Sequence, residues 1–275
     1  MRDVRALRLE GIEERYERYK EKIKNYTIMD DIFMRTVLKE QGCTEYILQV
    51  IMNQKDLQVL EQTLQKDYKN LQGRSAILDC VARDERARQF NVEIQGDNEG
   101  ASPERARYHS CLLDMNILSP REPFTGLPET YIIFITRNDV LGYNRIICHI
   151  TRKVEEEGKD FGDGSHIIYV NSKKREDTEL GKLMHDLHCK ESGEMHSKIL
   201  ASRVRELKET EKGVSEMCRD MEEIYGEGME EGERKKARET VLSLAELKMP
   251  EEQISQIVKM PLEVVQGWIE ESLAI

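Results

Sequence analysis

Two carboxylates, Asp79 and Glu93, are the residues in this chain whose type and spacing could do chemistry. They lie in AILDCVARDERARQFNVEIQ (76–95), where polarity alternates on both sides of a charged turn, the pattern of an antiparallel hairpin. With the turn centred on Arg86, the pairs Ala82/Phe90, Cys80/Val92 and Leu78/Ile94 are wholly apolar and must face the core, because side chains alternate across a strand. Asp79 then stands opposite Glu93 on the other face. Like charges so placed oppose pairing by up to ~1 kcal/mol. One resolution is a divalent cation between them, since Mg²⁺ is typically held by one or two carboxylates with water and a phosphate completing its shell. The other is a solvated sheet face with a nearby arginine. Spacing alone leaves both open.

The order Asp, hairpin, Glu-x-Gln resembles the active-site core of the PD-(D/E)XK nucleases, with Gln95 at the lysine position. The stretches YTIMDDIFMRTVLKE (26–40), GRSAILDCVARDERARQFNVEIQ (73–95), RARYHSCLLD (105–114), LPETYIIFITRNDVLG (127–142), GSHIIYVN (164–171) and ELGKLMHDLHC (179–189) are similar, in order, to the PD-(D/E)XK nuclease family transposases. Those proteins are related to the recombination-promoting nucleases, and the resemblance covers roughly residues 26–235. It implies an α+β or α/β class, restriction-endonuclease-like mixed β-sheet core flanked by helices, with a helical C-terminal extension. It implies Mg²⁺-dependent hydrolysis of DNA phosphodiesters, Mn²⁺ being a substitute ion, in recombination or mobile-element biology. Asp79 and Glu93, with the carbonyl of Ile94 and with Glu45, would hold the metal; Gln95 would orient the attacking water without the charge a lysine brings. Arg74, Arg105 and Tyr108 would meet DNA. Each has a plainer reading: Glu45 as an acid favoured in a first helical turn, Arg74 as a surface residue, Tyr108 as the edge of an amphipathic core. The alternative function is a nuclease-fold protein, weak or inactive in turnover, that binds DNA or itself.

With 42 basic and 53 acidic residues the net charge is −11, so the chain as a whole does not attract DNA and any nucleic-acid role needs a local basic face. The six cysteines, at 43, 80, 111, 148, 189 and 218, lie about thirty or more residues apart with no CxxC pair, and read as reduced thiols of a cytoplasmic protein. The longest apolar run, YIIFI, is strand-sized, and MRDVRALRLEG lacks a signal-peptide core, so no membrane partner is expected.

Residues 1–25 read as a charged helix or extension, 26–190 as the nuclease-like domain, 191–236 as a charged helical linker region and 237–275 as a small helix-turn-helix-like tail. The state of 56–74 is open. Ala87 holds a turn position where the resembled family commonly has a glycine, and since alanine disfavours positive φ another turn geometry is expected there. Ser102-Pro103-Glu104 is a strong helix start. TYIIFIT (130–136), RIICHI (145–150) and HIIYVN (166–171) read as further strands of a mixed sheet. His185, His188, Cys189 and His196 could gather zinc only if His196 folds back across KESGEM, and their spacing matches no recognised finger. The tail's third helix carries Glu263, Glu270 and Glu271 and no Lys or Arg. It therefore reads as a packing or self-association element, a route to homo-oligomers, in preference to a helix for the major groove.

Overall fold

The computed structural model describes residues 4–68, 75–96 and 98–273. The chain divides into two compact units, residues 1–218 and 219–275. In chain order the first holds α1 (Val4–Asn25), α2 (Asp31–Leu38), α3 (Gln41–Ile51), β1 (Val59–Tyr68), β2 (Ala76–Asp84), β3 (Gln89–Gln95), α4 (Pro103–Met115), β4 (Thr130–Thr136), β5 (Ile147–Ile150), β6 (Lys153–Val154), β7 (Lys159–Asp160), β8 (Ser165–Asn171), α5 (Glu179–Leu187) and α6 (Lys198–Glu209). The division falls inside α7 (Glu211–Glu246); α8 (Glu251–Val258) and α9 (Leu262–Leu273) follow.

Six strands form one mixed sheet in the order β1-β2-β3-β4-β8-β5. The β2–β3 pairing is the expected one: Arg83 faces Gln89, Val81 faces Asn91, Ala82 faces Phe90 and Cys80 faces Val92. β3, β4 and β8 run parallel, with Glu93 beside Phe134 and Phe134 beside Tyr169. β4 needs no alternation because both its faces are covered: Ile132, Ile133, Phe134 and Ile135 are all fully buried. β1, the stretch of open assignment, is an antiparallel edge strand paired with β2. Residues 69–74, and with them Gly73 and Arg74, lie outside the described residues.

Helices cover both faces of the sheet. α4 begins at its expected cap, Ser102 Oγ accepting the Arg105 N–H at 3.2 Å, and lies over Val81, Ile132, Phe134 and Tyr169. α3 lies against the opposite face, where Thr44 Oγ1 sits 3.8 Å from Cys80 Sγ, and packs in turn on α5 and α6.

Three local features differ from the sequence reading. Ala87 keeps the left-handed conformation, φ +61°, that favours glycine. The strain is offset because Asp84 ties the turn: its Oδ1 accepts the Arg86 and Arg88 N–H groups and its Oδ2 the Arg88 Nε, with both side chains buried. Val4–Asn25 is helical, but α1 is not merely an exposed extension, since Tyr19 and Ile23 are buried. Its end is fixed by Lys208, whose Nζ donates to the carbonyls of Lys24, Tyr26 and Lys190. Finally, the boundary between the two units falls after Cys218, inside the stretch 191–236 read as a linker region, so that 191–218 belongs with the sheet-bearing unit. There Arg203 joins Thr36 O, Glu206 and Glu216.

In the second unit the final three helical stretches enclose Val241, Ile254, Val265 and Trp268. The helices break where Met249-Pro250 and Met260-Pro261 predict it, Lys259 ending α8 at φ +55°.

Candidate metal and nucleic-acid site

The β2–β3 ladder pairs as far as Cys80 and Val92; one position further on, side chains take over from backbone. The Asp79 N–H donates to Glu93 Oε1 at 3.2 Å, so the two acids meet across neighbouring strands. The same oxygen accepts Asn91 Nδ2 at 2.9 Å, and Glu93 Oε2 accepts Gln95 Nε2 at 3.3 Å. Asn91, Glu93 and Gln95 alternate onto one face of β3, which is why they can meet. Asp79 Oδ1 accepts Gln65 Nε2 at 3.1 Å, from the edge strand β1.

The electrostatics of the pair follow from burial. Glu93 is completely buried. Burial by itself would raise its pKa, but the neighbouring His109, Asn91 and the Asp79 N–H hold it below the usual carboxylate range. For Asp79 the balance is reversed: burial first, and the Glu93 charge second, push it up to about 7, and the Gln65 hydrogen bond offsets only part of this. One acid thus stays ionised while its neighbour resists ionisation.

Several residues at the site carry no signal in the sequence. His109, 2% exposed, puts Nδ1 3.5 Å from Glu93 Oε1, while its Nε2 accepts Arg105 Nε at 3.3 Å. That acceptor role leaves the ring proton on Nδ1, facing the carboxylate. Nothing local marks His109, because its partner is supplied only when α4 folds over β3. Asp31 and Arg35 of α2, joined at 2.7 Å, are the helical charges that act on Asp79.

The expected site residues divide. Asp79, Glu93 and Gln95 come together. Arg105 joins them, its Nη2 3.7 Å from Glu93 Oε2. Tyr108 and Arg107, with Arg105 and His109, line a groove of about 700 Å³ between α4 and the start of β2. Ile94 turns its side chain to the opposite face, 4% exposed, leaving only its backbone between the two functional positions. Glu45 is not brought to the pair: its Oε2 accepts the Val59 N–H at 2.9 Å, at the start of β1, and α3 lies on the Cys80 face of the sheet. Its neighbour Thr44 faces the sheet, and one helical step carries Glu45 towards β1 instead. Arg74 lies outside the described residues.

The donor set fits a hard divalent cation. Two acids stand side by side on β2 and β3, and Asp79 gives up its proton reluctantly, because of burial first and the Glu93 charge second. Asn91 Oδ1 is a further buried oxygen without a hydrogen-bond partner, on the residue that already holds Glu93. Among the described residues no helix is long and apolar enough to cross a membrane.

A family model described as PD-(D/E)XK nuclease family transposase matches residues 44–239. Neither the comparison with curated proteins nor that with solved structures gave a match.

Proposed function

The chain belongs to the PD-(D/E)XK nuclease family transposases, a family associated with nuclease chemistry and mobile elements, and from that premise we propose that it is a Mg²⁺-dependent DNA endonuclease. The observation that carries the proposal is the Asp79 N–H donating to Glu93 Oε1, which sets two acids side by side on neighbouring strands, the Glu93 charge adding to burial in raising the Asp79 pKa. Asp79 and Glu93, with the Ile94 carbonyl, would hold Mg²⁺, or Mn²⁺ in its place. When bound, the ion polarises the scissile phosphoryl group and lowers the pKa of the attacking water. Glu93 is kept ionised and fixed by His109, Asn91 and Gln95. Gln95 also orients the water through its amide, and Arg105 and Tyr108 engage the phosphate backbone along the groove beside α4; the proposal for Arg74 as a further phosphate contact rests on the sequence alone. That basic wall would supply the local attraction that a chain of net charge −11 lacks overall.

The site residues are otherwise those of the sequence reading, with Asp31 the better-placed acid from the preceding helices than Glu45. Six free cysteines fit a reducing compartment, the cytoplasm. Exposed Leu247 and Ile257 in the second unit support self-association through the C-terminal helices. One observation favours a second reading, a protein that binds DNA without cutting it: Gln95 cannot offset charge in the transition state as lysine does.

The test is supercoiled plasmid incubated with purified protein and Mg²⁺ or Mn²⁺. Wild type should nick or linearise it, and Asp79→Ala and Glu93→Ala should each lose at least about 100-fold in rate, the loss of several kcal/mol of transition-state stabilisation. Absence of cleavage with every divalent ion, or equal cleavage by wild type and both variants, overturns the enzyme; retained DNA binding in the first case supports the second reading.

A further inference from the structure

A second cluster of metal-ligating side chains lies at the end of α5, on the helical layer opposite α4. His185 and Asp186 close that helix, and Cys189 follows its last turn. The chain then doubles back, because Asp186, fully buried, accepts the His196 N–H on Oδ1 at 2.8 Å and the Ser197 N–H on Oδ2 at 2.7 Å. This return across 190–195 is the one a zinc cluster required. It lays the His196 ring 4.8 Å from that of His185 at 54°, an arrangement of convergence instead of stacking. One donor atom each of His185, Asp186 and His196 lies within 4.8 Å of the others. Cys189 Sγ sits 3.4 Å from His185 Nδ1. His188 is excluded: its Nε2 meets Ser172 Oγ at 2.9 Å.

We propose that His185, Asp186 and His196, with Cys189 as fourth donor, form a structural Zn²⁺ site. Two imidazoles, a carboxylate and a thiol form a borderline-soft set suited to zinc; Mg²⁺ and Ca²⁺ prefer oxygen alone. Asp186 has capacity to spare, since a carboxylate accepts about four hydrogen bonds and the two backbone N–H groups leave lone pairs free. The exposed His196 provides the entry path and can swing to close the tetrahedron. Four protein donors leave no open position, so the ion would clamp the 188–197 return to α5 and perform no hydrolysis. Binding would expel the Cys189 proton, because zinc takes the thiolate. The site is independent of Asp79 and Glu93, since α5 packs on α3, whose Thr44 lies against the Cys80 face.

The experiment strips full-length protein of metal and titrates it with Zn²⁺ against a chelator of known affinity, then repeats the loading with Co²⁺. The expected result is one tight equivalent in wild type, in Asp79→Asn and in the exposed-histidine control His149→Ala, with a tetrahedral cobalt spectrum. His196→Ala and His185→Ala should weaken binding by more than about tenfold. Cys189→Ser should abolish the thiolate-to-cobalt charge-transfer band. His196 is exposed, so its variant should keep the far-ultraviolet circular dichroism of wild type, which makes its zinc affinity decisive. No tight equivalent in wild type, or unchanged affinity in His196→Ala, overturns the site. An unchanged cobalt spectrum in Cys189→Ser overturns the thiol as fourth donor.

Discussion

Asp79 is the residue at which fold and function pull apart. Its carboxyl is pushed up to about 7, by burial first and then by Glu93, against about 3.9 in an unfolded chain. Between those values the folded state binds the extra proton, so ionising Asp79 destabilises the fold as pH rises from roughly 4 to 7, and the effect is complete above that window. Asp79→Asn removes the charge at nearly constant shape. The metal-free variant should therefore melt at a higher temperature than wild type at pH 8, and the difference should shrink as pH is lowered towards 4. Thermal melts in the presence of chelator measure this directly. A variant less stable than wild type at pH 8 would mean that Asp79 is held by favourable contacts, with no tension for a cation to relieve. The trade is one that active sites commonly make, stability given up for a charge poised to bind.

At the scale of elements, the site is a hairpin closed over by a helix. β2 and β3 fix the two acids, while α4 brings His109 and Arg105 to Glu93 and encloses the pair. The segment joining β3 to α4 has its own constraint at Gly100, where an added Cβ would collide with the Gln95 Oε1. The obstacle is the tip of a flexible side chain, so Gly100→Ala should cost little stability and displace the Gln95 amide. Cleavage by Gly100→Ala should fall to the level of Gln95→Ala with melting temperatures close to wild type. Wild-type cleavage in Gly100→Ala would remove Gln95 from the mechanism. The hairpin turn shows the same economy on the far side: Ala87 accepts an unfavourable φ because the buried Asp84–Arg88 pair fixes both ends of the turn.

At the scale of the whole molecule, each of the two compact units has a core of its own among the described residues. The smaller rests on few residues, Val241, Ile254, Val265 and Trp268 among them, and a unit of that size has little stability to spare. Trp268 is the chain's single tryptophan, so its fluorescence reports on this unit alone. Ile254→Ala, at a fully buried position, should cost about 2–5 kcal/mol there. The fluorescence transition should move to lower temperature while the far-ultraviolet transition of the sheet-bearing unit stays in place. A common shift of both transitions would show that the two units melt as one.

Alternation of polarity is a local period, and it determined by itself the hairpin, its register and the placing of Asp79 beside Glu93, while the continuous apolar run of β4 marked a strand covered on both faces. Prolines and the Ser102 cap likewise marked helix ends within a few residues of where they fall. The burial of Glu93, its partnership with His109, the nearness of Asp31 and remoteness of Glu45, the packing of α1 and the return of His196 to His185 were decided only in three dimensions. Each depends on contacts between segments distant in the chain, whose geometry is set by how helices cover the sheet, and no short window of residues contains that information.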